Sequence, residues 1–259
     1  MDRLTLIYSS SPLLFWVLGS IFVYVLATNA LWLARSLDLV RSTPSRWLVE
    51  VGRFLFFLGV PYLALGGWPR SSFQGLLGLE DLGLAGFGGR WTVSRWLDAV
   101  GTGVALGVIA FVILYLAWAN ANRKNNGSQP SCAPRLRFAP RPWWALLVEV
   151  IYQEVHWAFY RGALAVTLGD FYAGVFWGLG LVYLEWAANP TWRRDWRLEG
   201  EAAGRWLRAA LALVSASIFF LTRNLWVCLG IHAMLELALW RLGRERVTVP
   251  DGPSQAVEF

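Results

Sequence analysis

About seven long apolar runs punctuate this chain, and they limit what it can fold into more than any other feature. A helix rising 1.5 Å per residue needs about 20 mostly apolar residues to cross a bilayer. Ser11–Ala34, Trp47–Trp68, Leu97–Ala119, Pro142–Leu168, Phe171–Ala188, Trp206–Leu221 and Leu225–Leu242 meet or approach that length. The sixth is short, as a tilted or partly buried helix would be. Only 15% of the 259 residues are charged, and 56% are hydrophobic. A soluble domain carries about 25% charge. The fold class this predicts is an all-α, polytopic membrane helical bundle.

The 17 Trp fit the same picture. Trp47, Trp68, Trp118, Trp143, Trp144, Trp192, Trp226 and Trp240 stand at the ends of the runs, where an indole ring is buried while its N–H stays wet. The net charge of +6 comes from arginines scattered between apolar segments, with no basic face, so nucleic acid is not an expected partner. Cys132 and Cys228 form neither a disulfide framework nor a metal-binding pair. No small-residue cleavage site closes the first run, so it reads as a retained anchor.

The chain divides into residues 1–119, a three-helix membrane region, 120–141, a polar cytoplasmic linker, 142–242, a four-helix core, and 243–259, a cytoplasmic tail. Within the first region, Phe73–Gly89 is rich in Gly and Leu and holds Glu80 and Asp81. It is expected to be a re-entrant or interfacial loop rather than a span. A second polar loop is expected over Thr191–Arg205. Placing the N-terminus outside puts 16 Lys and Arg in cytoplasmic segments and five outside. The expected location is therefore the inner (cell) membrane, with the C-terminus cytoplasmic and lipids as neighbours.

Ionisable groups inside the bilayer are costly, about 2.5–3.5 kcal/mol each on insertion scales, so each needs a reason. Glu50 and Arg53 stand three apart and suggest a local ion pair. The fourth run holds Glu149, Gln153, Glu154, His156 and Arg161. On a helix, Glu149, Gln153, His156 and Tyr160 share one face, while Glu154, Trp157 and Arg161 share another. Such a helix must face the bundle interior or a water-filled cavity, with Glu154 the first choice of partner for Arg161. His232 and Glu236 stand four apart on the seventh run, and Glu185 and Asn189 four apart on the fifth. The fourth, fifth and seventh runs are expected to be adjacent, with Glu154, Arg161 and His232 turned inward.

Two stretches resemble the CPBP (Abi) intramembrane proteases, the family that includes the CAAX prenyl endopeptidases. In FLTRNLWVCLGIHAMLE, from Phe220, the residues Thr222, Leu225, Trp226 and His232 fall on the family's last motif, which ends in His-x-x-x-Asn. In HWAFYRGAL, from His156, Arg161 and Gly162 fit the end of a Glu-Glu-x-x-x-Arg-Gly motif. The resemblance covers roughly Pro142 to Arg241 and implies a CPBP-like core. In active relatives the first Glu of the pair activates a water, and histidines position it or stabilise the oxyanion. This chain departs from that pattern. His156 and Trp157 occupy the two Glu positions, the fifth run has no His, and Glu236 replaces the Asn. General-base chemistry needs a carboxylate within hydrogen-bond reach of the water. Glu154 lies about 200° round the helix from His156 and cannot simply take its place.

Two functions follow from these residues. The first is a non-catalytic scaffold or accessory subunit, held among other integral membrane proteins. The second is an active intramembrane peptidase with a rewired site drawn from His232, Glu236, Arg161, His156 and Glu154. In it, His156, His232 and Glu236 would form a set able to hold Zn²⁺ with a position open for water. A transporter ranks last, since the polar residues form one cluster and no inverted repeat is visible.

Overall fold

A computed structural model of the chain describes residues 12–37, 43–65, 82–84, 91–125, 142–197 and 199–245. All regular structure among them is helical: α1 (Pro12–Ser36), α2 (Thr43–Phe54), a π-helical turn (Leu55–Gly59), α3 (Val60–Leu65), α4 (Val93–Asn125), α5 (Trp143–Leu168), α6 (Phe171–Ala188), α7 (Pro190–Asp195), α8 (Glu199–Thr222) and α9 (Leu225–Glu245). Among the described residues, six helical segments are long and apolar enough to cross a membrane, counting α2, the π turn and α3 as one. The protein is an all-α polytopic membrane bundle.

The remaining expected span, α5, has 26 residues, about 39 Å of helix at 1.5 Å per residue. It has the length to cross, but Glu149, Gln153, Glu154, His156 and Arg161 dilute its apolarity. The bundle resolves this by enclosing it. Every residue from His156 to Leu164 is buried. α6 and α9 flank α5, and α1, the π turn and α3 also pack on it. α4 lies further out, against α8 and α9.

Sequence dictates the helix ends. Gly169 closes α5 in the left-handed conformation, φ 66°, and Asp170 opens α6 by accepting from Tyr172 N at 2.7 Å and Ala173 N at 3.0 Å. Asn189 caps α7, with Pro190 in its first turn. Asn224 caps α9 by accepting from Trp226 N at 2.9 Å. The π turn has an equally local cause. Pro61 has no N–H and its ring crowds the carbonyl one turn back. The preceding turn widens, and Val60 N donates to Leu55 O, five residues back.

Two Gly-x-x-x-Gly pairs set the closest helix contacts. On α6, a Cβ at Gly174 would lie 2.4 Å from Ala165 Cα and N, and one at Gly178 would lie 2.9 Å from Arg161 Cα. On α4, a Cβ at Gly103 would meet Val227 at 2.3 Å, and one at Gly107 would meet Ile231 at 2.7 Å. In lipid, where apolar side chains gain little by leaving their surroundings, such backbone approach is a main source of helix association.

Several boundaries differ from those read in the sequence. The expected loop Thr191–Arg205 contains α7 and the start of α8, so the sixth span is a full-length helix rather than a short one. α4 runs on to Asn125, into the stretch read as a linker. The rest of that linker, the tail after Arg246 and most of Phe73–Gly89 lie outside the described residues. Of the Gly/Leu-rich stretch, Leu82–Leu84 tucks into the bundle. Leu82 is buried, and Gly83 O accepts from Leu225 N at 3.1 Å, satisfying a free donor at the start of α9.

Gly174→Ala is expected to destabilise the protein by about 1–3 kcal/mol, because its methyl meets backbone rather than a movable side chain. Gly19→Ala, with nothing within 4 Å, is expected to be neutral or slightly stabilising. Thermal unfolding of both variants in detergent measures the contrast; equal melting temperatures would contradict the tight α5–α6 contact.

Candidate functional site

The sequence places Glu154 and Arg161 seven residues apart on one face of α5, which α8 and α9 cover. Glu154 is fully buried, and each of its oxygens has a partner. Oε1 lies 2.8 Å from His232 Nδ1 on α9. Oε2 accepts from Arg161 Nη2 at 3.2 Å and from Ser215 Oγ on α8 at 2.8 Å. Arg161 Nη1 donates to Ser215 Oγ at 3.3 Å, and its guanidinium sits 4.6 Å from the centre of the Phe219 ring. Trp157 stacks on His232, ring centres 5.4 Å apart and planes within 8°. One carboxylate therefore ties three helices together, with its charge balanced by Arg161.

His232 faces Glu154 through its Nδ1. Its Nε2 has no protein partner, nor has Arg161 Nε. Beside Arg161, a gap lined by Trp157, Gly178, Val182 and Ala212 leaves ≈ 10 Å³ of space for a water's centre. That is room for about one water.

The opposite face of α5 carries a second network. His156 Nε2 lies 3.0 Å from Glu185 Oε2 on α6. Tyr160 donates to Glu185 Oε1 and stands 3.1 Å from Ser20 Oγ on α1. Phe56 and Phe57 of the π turn and Tyr160 surround the imidazole, with ring centres 4.8, 5.2 and 4.5 Å away. A third network lies nearer the start of α5. Glu149 accepts from Arg53 on α2 and from Gln153 Nε2 at 3.3 Å, and Arg208 on α8 lies 3.9 Å away.

Several sequence expectations hold as stated. Arg161 pairs with Glu154, both turn inward with His232, and α5 contacts α6 and α9. Glu50 and Arg53 approach to 3.3 Å, although Arg53 also binds Glu149. Others need correction. His156 and His232 do not share one pocket, because Glu154 and His156 leave α5 about 200° apart and each draws a different partner helix. His156, His232 and Glu236 therefore do not assemble as a metal set. Glu236 is half-buried, on α9, and makes no hydrogen bond to the Glu154 network. Among the described residues, no three His, Cys, Asp or Glu side chains converge where they could hold a metal ion. Glu185 and Asn189 also part company: Glu185 turns to His156 and Tyr160, while Asn189 caps α7 and donates to Tyr24 Oη at 3.0 Å.

Compared with family models, with curated proteins and with solved structures, the chain matches none.

Ser215, Ser20 and the Gly174/Gly178 pair are the site residues that sequence reading misses. The signal for the glycines is their four-residue spacing in an apolar helix. A lone Ser in an apolar run is a weak signal, since it can satisfy itself on its own helix, as Ser217 does by donating to Leu213 O.

Glu154→Ala is expected to destabilise the protein by about 3–5 kcal/mol, because it strands the buried Arg161 guanidinium. Glu154→Ala combined with Arg161→Met should recover much of that loss. A double-mutant cycle on detergent unfolding tests this; additive effects would contradict the pairing.

Proposed function

We propose that this protein is a non-catalytic membrane scaffold or accessory subunit whose C-terminal half is of CPBP-like descent. The engagement of Glu154 carries this reading. A hydrolytic carboxylate must reach an attacking water and a substrate carbonyl. Glu154 is fully buried, and its oxygens are taken by His232, Arg161 and Ser215. The gap beside Arg161 suits one water and not a peptide segment. Here the polar residues serve as interhelical joints. Large aromatics line the perimeter, among them Phe176 at 68%, Trp206 at 63% and Trp177 at 58% exposure, and these suit contact with neighbouring membrane helices and lipids. The arginine bias supports a cell-membrane location with the N-terminus outside and the C-terminus cytoplasmic.

One observation favours a second reading, a rewired peptidase. Glu154 orients His232 through Nδ1 and leaves Nε2 without a protein partner, as an oriented general base would be. Purification in mild detergent separates the two. The scaffold reading predicts co-purification with other membrane proteins in fixed ratio, and a complex that survives Glu236→Ala. A protein isolated alone, cleaving a membrane peptide and losing that activity in His232→Ala, would overturn it.

A further inference from the structure

We propose that His156 and Glu185 together bind one proton beyond a neutral imidazole and a carboxylate, making the α1–α5–α6 interface a membrane-embedded proton-binding site. This is independent of the scaffold reading. It rests on the charge balance of each network. Glu154 faces Arg161; Glu149 faces Arg53 and Arg208; Asp195 faces Arg194 and Arg205. Glu185 is as buried as Glu154 and Asp195, at 2% exposure, yet no Arg or Lys among the described residues lies within ion-pair distance of it.

The elements packed round the His156–Glu185 pair lead to the same result. α5 presents His156 and Tyr160, and α1 presents Ser20 and Tyr24. The π turn presents only Phe56 and Phe57. Asn189 is neutral, and of the arginines on α2, α7 and α8, Arg53 and Arg208 lie within ion-pair distance of Glu149, and Arg194 and Arg205 of Asp195, none of them within that distance of Glu185. An isolated carboxylate in so dry a setting is very costly, and a proton removes that cost. Either partner can take it, and in both states His156 Nδ1 bears a hydrogen for which the described residues offer no acceptor. An imidazolium at His156 would lie among three aromatic rings, whose faces attract a cation. A protonated Glu185 would donate from Oε2 to His156 Nε2 across the same 3.0 Å. The π turn that carries Phe56 and Phe57 is the kind of helix irregularity often found at functional sites.

The chain has only two histidines, so the test is direct. The full-length protein, with ring-¹⁵N-labelled histidine, is reconstituted in lipid bilayers at pH 7. His156→Gln assigns the signals. The expected result is His156 protonated on both ring nitrogens, or a neutral His156 accompanied by the infrared carbonyl stretch of a non-ionised carboxyl that vanishes in Glu185→Gln. If that variant does not accumulate, ¹³C-labelled glutamate carboxyls report the same state in the unaltered chain. A neutral His156 together with an ionised Glu185 would overturn the proposal.

Discussion

A carboxylate inside a bilayer cannot be left to itself. Water is absent, the dielectric is low, and an uncompensated charge is worth more than the few kcal/mol by which most proteins are stable. Glu154 is the clearest instance, and much of the bundle is arranged around satisfying it. Arg161 supplies the counter-charge from the same helix, Ser215 a hydroxyl from α8, and His232 an imidazole from α9. The middle of α5 therefore belongs at the centre, and α8 and α9 are held where Ser215 and His232 meet Glu154.

The other face of α5 repeats the solution with different chemistry. There Glu185 comes from the neighbouring helix and His156 from α5, with Tyr160 and Ser20 extending the network to α1. The two networks lie on opposite sides of one helix. The polar helix is sheathed by apolar ones rather than opened to a chamber. Such a core needs close backbone contact, and Gly174 and Gly178 allow α6 to approach α5 at the level of Arg161. Small residues and buried charges thus act together: one brings the helices close, the other fixes their register.

Much of this is legible in the sequence because lipid leaves few options. Long apolar runs, the Gly169–Asp170 boundary between α5 and α6, and the inward turn of Glu154 and Arg161 follow from span length, capping and the cost of charge. What resists reading is the third dimension. Helical periodicity separates Glu154 from His156 but does not name the helix each will meet. Hence a single pocket is the natural expectation, and two networks are what form. The same limit applies to Glu185 and Asn189, whose shared face does not give them a shared partner. The loop expected over Thr191–Arg205 misleads for another reason. Its arginines look like solvent residues, yet Arg205 pairs with Asp195 and lies over the Trp192 ring at 4.8 Å, which lets α8 begin early.

The account stands on Glu154 joining α5 to α9 inside the membrane. Carbon–nitrogen dipolar recoupling by solid-state NMR in lipid bilayers measures this, with ¹³C at the glutamate carboxyls and ¹⁵N at the histidine rings. The predicted result is a strong coupling between the Glu154 carboxyl and His232 Nδ1, as their 2.8 Å oxygen–nitrogen contact requires. Its absence, with His232 coupled to Glu236 or to no carboxyl, would contradict the central joint and everything arranged around it.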